Sequence, residues 1–506
     1  MGAYEWSLQK TSKLILAVML IHHRSKINFI LVAIATVLGV IARWALIARS
    51  SIWHDEGFSI MLALRTPVEI WAGSARDVHP PLYYELLHYW MALFGNSVVS
   101  IRSLSVLTGV LIIPLCFFIT KRMFGARAGV ITAFFVALSP FLIRYSIEAR
   151  MYGVLGVFTL LALYAVVLIA HNPKNNWPYL LYGLAIAAGL YTHYFAALAV
   201  VAFWLYLVTL QKPHNWRFNK TIFLSVRWWL ANILALALFL PWVPNMLAQF
   251  RRAQGLGWLP KTSLWTFHDT MWQFFTFTDA HKITSALYII FPILIIIATI
   301  IIIYNDKTKP RYSRLIVFYS FVPIVVALLV SSFKPIYHER YFAFTLAGIC
   351  MILAIAIVDI GRKKTYITTM LAVSIIAMQL IGIRNVYSQS SHRMDVVMQK
   401  LNAGFSQNDK IIAGELYVYF DGSYYNKTGQ KIYLYTGKTK PNGYGESGLL
   451  YDKSVYLDSL NDVDSNRVWV IGKTGEQDYY KSVPGAWKLL EVYSAGYSEV
   501  RLYQVQ

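Results

Sequence analysis

Long apolar segments alternate with short basic ones along the first three quarters of the chain. A helix needs about 20 predominantly apolar residues to cross the hydrocarbon core of a bilayer, so each apolar segment predicts a membrane span. The predicted spans are residues 27–47, 99–120, 128–143, 151–170, 228–250, 283–304, 315–333, 341–358 and 365–383.

The apolar stretch 177–210 allows two interpretations. One long helix would place the basic segment 212–227 on the opposite side of the membrane from Lys174, whereas two short helices that turn at residues 192–194 keep both on one side. Because basic loops concentrate on the cytoplasmic side, we favour two helices. About eleven spans then result, with a cytoplasmic N-terminus and an extracytoplasmic C-terminus.

The start of the chain fits this orientation. Basic residues precede the first apolar segment, namely Lys10, Lys13, Arg24 and Lys26. That segment is too long for the apolar core of a signal peptide and lacks a small-residue cleavage site. We therefore expect a retained first span and a multi-pass protein of the cell membrane.

The predicted topology exposes five segments on the outer face, which are residues 49–98, 144–150, 251–282, 334–340 and the turn at 192. The first of them is unusually long for a connection between two spans. Its amphipathic stretches 67–74 and 82–94 predict helices that lie along the membrane surface.

From about residue 387 the apolar segments end. The segments 410–414, 416–420, 467–472, 487–493 and 499–506 are typical of short strands, because Gly, Asn and Asp turns separate them. We expect a transmembrane domain over 1–386 and a small extracytoplasmic α/β domain over 387–506. The predicted C-terminal domain contains a cluster of aromatic residues: Tyr417, Tyr419, Phe420, Tyr424 and Tyr425. This cluster is either a platform for stacking a sugar or, as we favour, a set of half-buried strand residues.

Composition and charge support a membrane protein and exclude a nucleic-acid partner. Hydrophobic residues make up 57% of the chain and charged residues 14%, which is far from the balance of a soluble domain. The formal charge of +21 falls mainly in loops between apolar segments, as the positive-inside rule requires, and not on one soluble face. Cys116 and Cys350 lie inside apolar segments and are interpreted as buried small hydrophobes.

Two acidic positions stand in the first outer loop. Asp55 and Glu56 follow the first span directly, and Asp77 and His79 precede a pair of prolines about 20 residues later. Sugar transfer to a hydroxyl needs a carboxylate that accepts the proton as the oxygen attacks, and Asp55 is our leading candidate. The alternative for an acidic pair at a helix end is solvation or helix capping.

Basic residues in the other outer segments would suit an anionic leaving group. A departing phosphate gains charge, which arginine forks stabilise well, and Arg150 and Arg340 are the best candidates. Arg144 and Lys334 are poorer candidates, because basic residues at span ends often extend to lipid headgroups.

Together these segments resemble the superfamily of dolichyl-phosphate-mannose protein mannosyltransferases and lipid A aminoarabinose transferases, which have the glycosyltransferase C-type fold. The resembling elements are Asp55-Glu56, Asp77 to Tyr84, Arg144 to Tyr152, Tyr191 to Tyr194 and Glu339 to Tyr341.

This resemblance implies an all-α polytopic domain, a polyprenyl-phosphate sugar as co-substrate, inversion at the anomeric carbon and Asp55 as general base. Glu56 or Asp77 is then the second acid, and His79 stands where several relatives have a phosphate-binding Lys. The same motifs supply candidate substrate-binding residues: Glu148, Tyr152, His193, Tyr194, His338 and Tyr341.

No cofactor and no divalent metal are expected. The outer histidines lack the spacing of a zinc motif, and the sequence has no nucleotide-binding glycine motif. The expected partners are the polyprenyl-phosphate sugar, membrane lipids, and a lipid, surface glycan or protein acceptor. The main alternative is a lipid or solute transporter or flippase, which would normally carry acids at span centres and repeated halves. A noncatalytic membrane anchor is a third interpretation.

Overall fold

The computed structural model describes residues 26–210, 222–252, 259–263, 265–278, 286–389, 392–437, 448–450, 453–475, 480 and 482–505. The basic residues Lys10, Lys13 and Arg24, and most of the basic segment 212–227, lie outside the described residues.

Long apolar helices form the body of the protein. Within the described residues eight are long and apolar enough to cross a membrane, or nine if the bent pair α6 (Ala126–Ala137) and α7 (Pro140–Ser146) is one span. The eight are α1 (Lys26–Trp44), α5 (Val98–Phe124), α8 (Tyr152–His171), α11 (Val226–Phe239) with α12 (Val243–Arg252), α14 (Ala286–Asn305), α15 (Tyr312–Ser331), α16 (Ala343–Ile360) with the turn Glu339–Phe342 before it, and α17 (Thr365–Ser388).

The stretch 177–210 forms two short helices, as expected. Helix α9 (Trp177–Thr192) ends where the backbone of His193 becomes extended, and α10 (Ala196–Thr209) begins shortly afterwards. These helices have 16 and 14 residues, which is short for a span. The predicted total of about eleven spans is therefore not confirmed, although the polytopic helical fold is.

The helices differ in the share of their residues that is buried inside the protein. Helix α16 is buried along almost its whole length, whereas α1, α14 and α17 expose most of their apolar side chains. In a bilayer those exposed side chains meet lipid tails, so exposure costs nothing there. Gly348 of α16 lets Tyr319 and Ser320 of α15 approach closely, since a Cβ at this position would lie 2.9 Å from the Tyr319 ring.

The first of the predicted outer loops is helical. It contains α2 (His54–Ala63), α3 (Pro67–Arg76) and α4 (Leu82–Phe94), which confirms the two predicted amphipathic helices and adds one before them. Helix α3 begins with a capping box, in which Thr66 accepts from the Glu69 amide, and Pro67 takes the first helical position. Another short helix, α13 (Thr266–Thr276), lies between α12 and α14.

The C-terminal part is an α/β domain. Its helices are α18 (Met394–Gly404) and α19 (Leu416–Tyr425), and its strands are β1 (Lys410–Ala413), β2 (Ile432–Tyr435), β3 (Tyr456–Leu457), β4 (Arg467–Lys473), β5 (Lys488–Ala495) and β6 (Ser498–Gln504). The sheet order is β3-β2-β1-β4-β6-β5, with parallel pairing up to β4 and antiparallel pairing beyond it.

The predicted strand 416–420 is wrong, because these residues begin helix α19. Aromatic residues favour strands by propensity, but β1 and β2 pair in parallel, and the chain between parallel neighbours must cross over the sheet. Helix α19 is that crossover. Its Tyr419 and Phe420 are buried while Tyr417 is half exposed, so the cluster is neither a row of strand residues nor an open platform.

Helix α19 also packs against α2 of the first outer loop. The rings of His54 and Tyr417 lie 4.0 Å apart, and a Cβ on Gly57 would come within 3.0 Å of the Phe420 backbone. The Ile52 amide donates to the Tyr425 hydroxyl at 2.8 Å. The C-terminal domain therefore rests directly on the helix that begins at His54.

The orientation of these parts is testable by cysteine labelling. We expect Ala72→Cys on α3 and Leu490→Cys on β5, both exposed, to react with an impermeant maleimide in right-side-out vesicles. Lys174→Cys should react only after permeabilisation. The native cysteines are buried and give little background. Labelling of Ala72→Cys without Leu490→Cys in sealed vesicles would contradict the predicted topology.

Candidate functional site

Three of the predicted outer segments meet at Asp55. This residue lies in the first turn of α2, and its Oδ2 is 3.1 Å from Nη1 of Arg340 and 3.8 Å from Nε of Arg150. Arg150 comes from the loop before α8, and Arg340 from the turn before α16. The Arg150 Nη1 also donates to the Asp55 carbonyl and the Ser59 hydroxyl, both at 3.2 Å, which fixes its fork.

The two guanidiniums keep Asp55 ionised. Burial raises the pKa of this carboxyl, but the positive charges of Arg150 and Arg340 lower it by more, so the pKa lies below its ordinary value. The Asp55 side chain is still 15% exposed, so a small polar group can approach it. Asp55 is thus an accessible carboxylate between two cations.

Two donors beside Asp55 are buried without hydrogen-bond partners among the described residues. They are Nε of Arg150 and the hydroxyl of Tyr152. Buried polar atoms are nearly always paired, so unpaired donors next to a cationic pair are unusual. An anion with several acceptor oxygens, such as a phosphate, would satisfy them.

Glu56 takes part in a different interaction. Its oxygens accept from Nε of Arg102 at 2.8 Å and from Nη2 at 2.6 Å, and both side chains are fully buried. The same carboxylate accepts from the Ala149 amide at 2.8 Å. Arg102 donates further to the carbonyl oxygens of Ile47, Ser50 and Ser51. This pair therefore joins the end of the first span, α2, α5 and the loop that carries Arg150.

Arg102 was not among the residues predicted for the site. It lies near the start of the apolar helix α5, where an arginine commonly extends to the lipid headgroups. The sequence did show an ionisable residue within a predicted span. Such residues usually have a specific polar partner, which could have marked Arg102 as a candidate.

Asp77 and the outer histidines form a second group. Nδ1 of His79 lies 3.2 Å from Oδ2 of Asp77, and the Tyr84 hydroxyl donates to the same oxygen at 3.5 Å. The His79 ring is 5.6 Å from the His193 ring, which lies 5.2 Å from Tyr341. Burial, the neighbouring His79 and the two arginines hold the pKa of His193 well below its ordinary value, so its imidazole is neutral.

This second group adjoins Asp55. His79 is among the residues whose electrostatic interaction lowers the pKa of Asp55, and Tyr341 follows Arg340 directly in sequence. His338 extends the group, because its ring lies 5.6 Å from Tyr341 and its Nδ1 lies 3.2 Å from a carboxylate oxygen of Glu339.

Glu148 lies behind the arginines in an ion pair with Arg144. Burial raises the pKa of Glu148, and the attraction of Arg144 offsets this only in part. Tyr145 of the same segment contacts the Tyr152 ring edge-on at 5.5 Å. Arg144 therefore has a carboxylate partner and is more than a headgroup contact, although it does not pair with Asp55 itself.

Two predicted residues lie apart from these groups. The Tyr194 hydroxyl accepts a hydrogen bond from Nε1 of Trp242 at 2.9 Å and donates one to Oε1 of Gln249. It therefore connects the turn between α9 and α10 to the span formed by α11 and α12. Lys334 is exposed after the end of α15. Within the described part of the chain no group of three or more His, Cys, Asp or Glu side chains is arranged to hold a metal ion.

Comparisons with known proteins identify the fold. Residues 78–244 match the family profile described as dolichyl-phosphate-mannose-protein mannosyltransferase. The structure of ArnT from Cupriavidus metallidurans bound to undecaprenyl phosphate matches with a TM-score of 0.61 at 11% identity, over 94% of this chain and 97% of that chain. The apo structure of the oligosaccharyltransferase of Archaeoglobus fulgidus matches with a TM-score of 0.53 at 14% identity, over 94% of this chain and 74% of that chain. No curated protein sequence matches the chain.

The chain thus has the glycosyltransferase C-type fold, which confirms the predicted resemblance at the level of the fold, and its residues 78–244 match the mannosyltransferase family. The profile match includes His79, Arg150 and His193, whereas Asp55 and Arg340 lie outside it. The assignment of roles at the site consequently rests on geometry.

A double-mutant cycle tests the Glu56–Arg102 pair. Arg102→Met leaves a buried carboxylate without its cation and should lower the free energy of unfolding by about 3–5 kcal/mol. Glu56→Gln should also destabilise, whereas the double variant should lose less than the sum of the two. Thermal unfolding in detergent measures all three. Strictly additive losses would show that the two side chains do not stabilise each other.

Proposed function

We propose that the chain transfers a sugar, with inversion, from a polyprenyl-phosphate carrier to an acceptor hydroxyl at the outer membrane face. The observation that carries this proposal is the Asp55 carboxylate held between Arg150 and Arg340. In the reaction the acceptor oxygen attacks the anomeric carbon and its proton passes to Asp55. The bond from the anomeric carbon to the phosphate oxygen breaks, and its electron pair stays on the phosphate.

The arginines are assigned to the leaving phosphate. The phosphodiester of the donor becomes a phosphate monoester and gains a negative charge as the sugar departs. Preorganised guanidiniums in a buried site stabilise such charge strongly. Nε of Arg150, which makes no hydrogen bond to the described residues, and the Tyr152 hydroxyl provide two further donors for its oxygens. Structures of proteins with this fold support a polyprenyl-phosphate ligand, because ArnT was solved with undecaprenyl phosphate and an archaeal oligosaccharyltransferase with dolichol-phosphate.

Donor binding should strengthen the base. In the free enzyme the two guanidiniums lower the pKa of Asp55, which makes it a weak proton acceptor. Once the phosphodiester monoanion of the donor shares these cations, their effect on Asp55 diminishes and its pKa rises. Asp55 then accepts a proton more readily in the complex in which it is needed.

We assign the second acid to Asp77 in preference to Glu56. The Glu56 oxygens are already occupied by Arg102 and the Ala149 amide. Asp77 instead pairs with His79, which faces His193. Asp77 can therefore orient His79 toward the acceptor or the donor, and this also accounts for a histidine where several relatives have a lysine.

A transporter fits the observations less well. Its functional ionisable groups would be expected near the bilayer midplane on broken helices. Here the acidic and basic groups of the site gather in α2, the loop before α8 and the turn before α16, all at helix ends.

The general-base role predicts the effect of Asp55→Asn. The amide keeps the size of the side chain but cannot accept the proton, so turnover should fall by about 100-fold or more. Purified protein is supplied with a panel of radiolabelled polyprenyl-phosphate sugars, and transfer or slow hydrolysis is followed. Donor binding should remain, because the phosphate contacts lie on the arginines. Asp77→Asn is the matched comparison and should be less impaired. Full turnover by Asp55→Asn would remove Asp55 as the base.

The pH dependence provides a separate prediction. Arg340→Gln removes one of the two charges that lower the pKa of Asp55, so that pKa should rise. Since Asp55 must be ionised to accept a proton, the acid limb of the kcat/KM profile should move to higher pH in this variant. Arg76→Gln, which removes an exposed arginine on α3, is the control and should leave the limb in place. An unmoved limb in Arg340→Gln would mean that Asp55 does not set it.

A further inference from the structure

A polar cavity lies next to the Asp55 site. It has a volume of about 630 Å³ and lies among the outer ends of α1, α7, α13 and α17, with the C-terminal domain closing one side. Trp53 lines it, and the Arg340 guanidinium lies 5.7 Å from the Trp53 ring. Arg144, which pairs with Glu148, lines it as well. The cavity is thus a direct neighbour of the proposed reaction centre.

The lining is cationic and rich in hydrogen-bonding groups. Among the described residues that form it there is no Asp or Glu, whereas Arg49, Arg144 and His392 supply positive charge or ring N–H groups. Hydroxyl and amide side chains, such as Ser50 and Asn385, provide further donors and acceptors. This chemistry suits a ligand that carries both negative charge and hydroxyl groups.

Arg49 is the cation most available to such a ligand. Its guanidinium lies 3.3 Å from the centroid of the Tyr387 ring, which orders the side chain. It has no carboxylate partner among the described residues, whereas Arg144 is shared with Glu148. A stacked guanidinium keeps the N–H groups at its edge for an anion, and this arrangement differs from a free side chain that extends into solvent.

Other lining residues of the cavity are apolar and lie at or just beyond helix ends. Leu46 lies just beyond α1, Phe277 just beyond α13, and Val386 in the last turns of α17. Because these helix ends are at the membrane surface, the cavity offers apolar contacts on the membrane side and polar ones beside them. Such a surface matches an amphiphile whose headgroup projects from the bilayer.

We propose that this cavity binds the anionic, hydroxylated headgroup of the acceptor and brings one of its hydroxyls to Asp55. The inference rests on the proposed function, since it names the acceptor class for the same reaction. The shared chemistry of the ligand is a phosphate diester or monoester with free hydroxyls, carried either by a lipid or by a soluble molecule.

Binding without turnover is the first test. Native mass spectrometry of the full chain should show preferential binding of phosphatidylglycerol over phosphatidylcholine. Arg49→Gln should weaken the phosphatidylglycerol signal by about 10-fold, the loss of one charge-assisted contact, while Arg49→Lys retains part of it. Arg76→Gln is the control for loss of an exposed arginine outside the cavity. An Arg49→Gln variant that keeps the full preference overturns the proposal.

Competition distinguishes the two sources of the ligand. If sn-glycerol 3-phosphate displaces phosphatidylglycerol from the wild-type protein and not from Arg49→Gln, the headgroup alone is recognised. If it fails to displace a lipid whose binding depends on Arg49, the acceptor is recognised as a membrane lipid. If neither phosphatidylglycerol nor sn-glycerol 3-phosphate shows binding that depends on Arg49, the proposal is overturned.

Blocking the cavity tests its place in the reaction. Ser50→Cys modified with a bulky maleimide should stop transfer of labelled sugar to a membrane lipid extract, whereas slow hydrolysis of the donor continues. Unmodified Ser50→Cys is the control. Loss of hydrolysis together with transfer would assign the cavity to the donor and overturn the acceptor role, as would unimpaired transfer. A wild-type protein that neither transfers nor hydrolyses any donor would instead reject the proposed function, while the binding result would still stand.

Discussion

The buried pair of Glu56 and Arg102 is the interaction on which the site depends. Glu56 is adjacent in sequence to Asp55, and it accepts from the amide of Ala149, which precedes Arg150. One carboxylate therefore sets the backbone positions of both a proposed base and a proposed phosphate ligand. A buried ion pair contributes little net stability by itself, but removal of one partner leaves an uncompensated charge. Its value here lies in fixing the geometry of chain segments that are far apart in sequence.

The C-terminal domain holds the same helix from the other side. Asp421 of α19 is buried, and burial together with the nearby negative charge of Glu56 raises its pKa well above the ordinary value. The raised pKa favours the neutral form of Asp421, which limits the negative charge beside Asp55 and Glu56. With the ring contacts of His54 and the close approach of Phe420 to Gly57, the domain acts as a support for α2.

Much of this architecture was predictable from local pattern, and the rest was not. Apolar segments predicted the spans, and amphipathic spacing predicted α3 and α4, because both signals lie within one element. The strand expected at 416–420 failed because a parallel sheet required a crossover there. Arg102 and the occupied state of Glu56 could not be predicted, since they depend on contacts between residues 46 positions apart. Asp55, Arg150 and Arg340 were identifiable as candidates, but their convergence required the fold.

In the proposed reaction, the charges around Asp55 link activation of the acceptor hydroxyl to the arrival of the donor. In the absence of donor, two arginines hold Asp55 as a weak base, so an acceptor hydroxyl that arrives first has no effective proton acceptor. In the proposed reaction, the donor phosphate that binds the arginines would both deliver the sugar and weaken their influence on Asp55. Activation of the nucleophile and arrival of the electrophile are then coupled through the same two guanidiniums, without any movement of the backbone. Glu56, held by its own arginine, does not compete for these cations, and this separation of the two pairs makes the coupling specific to Asp55.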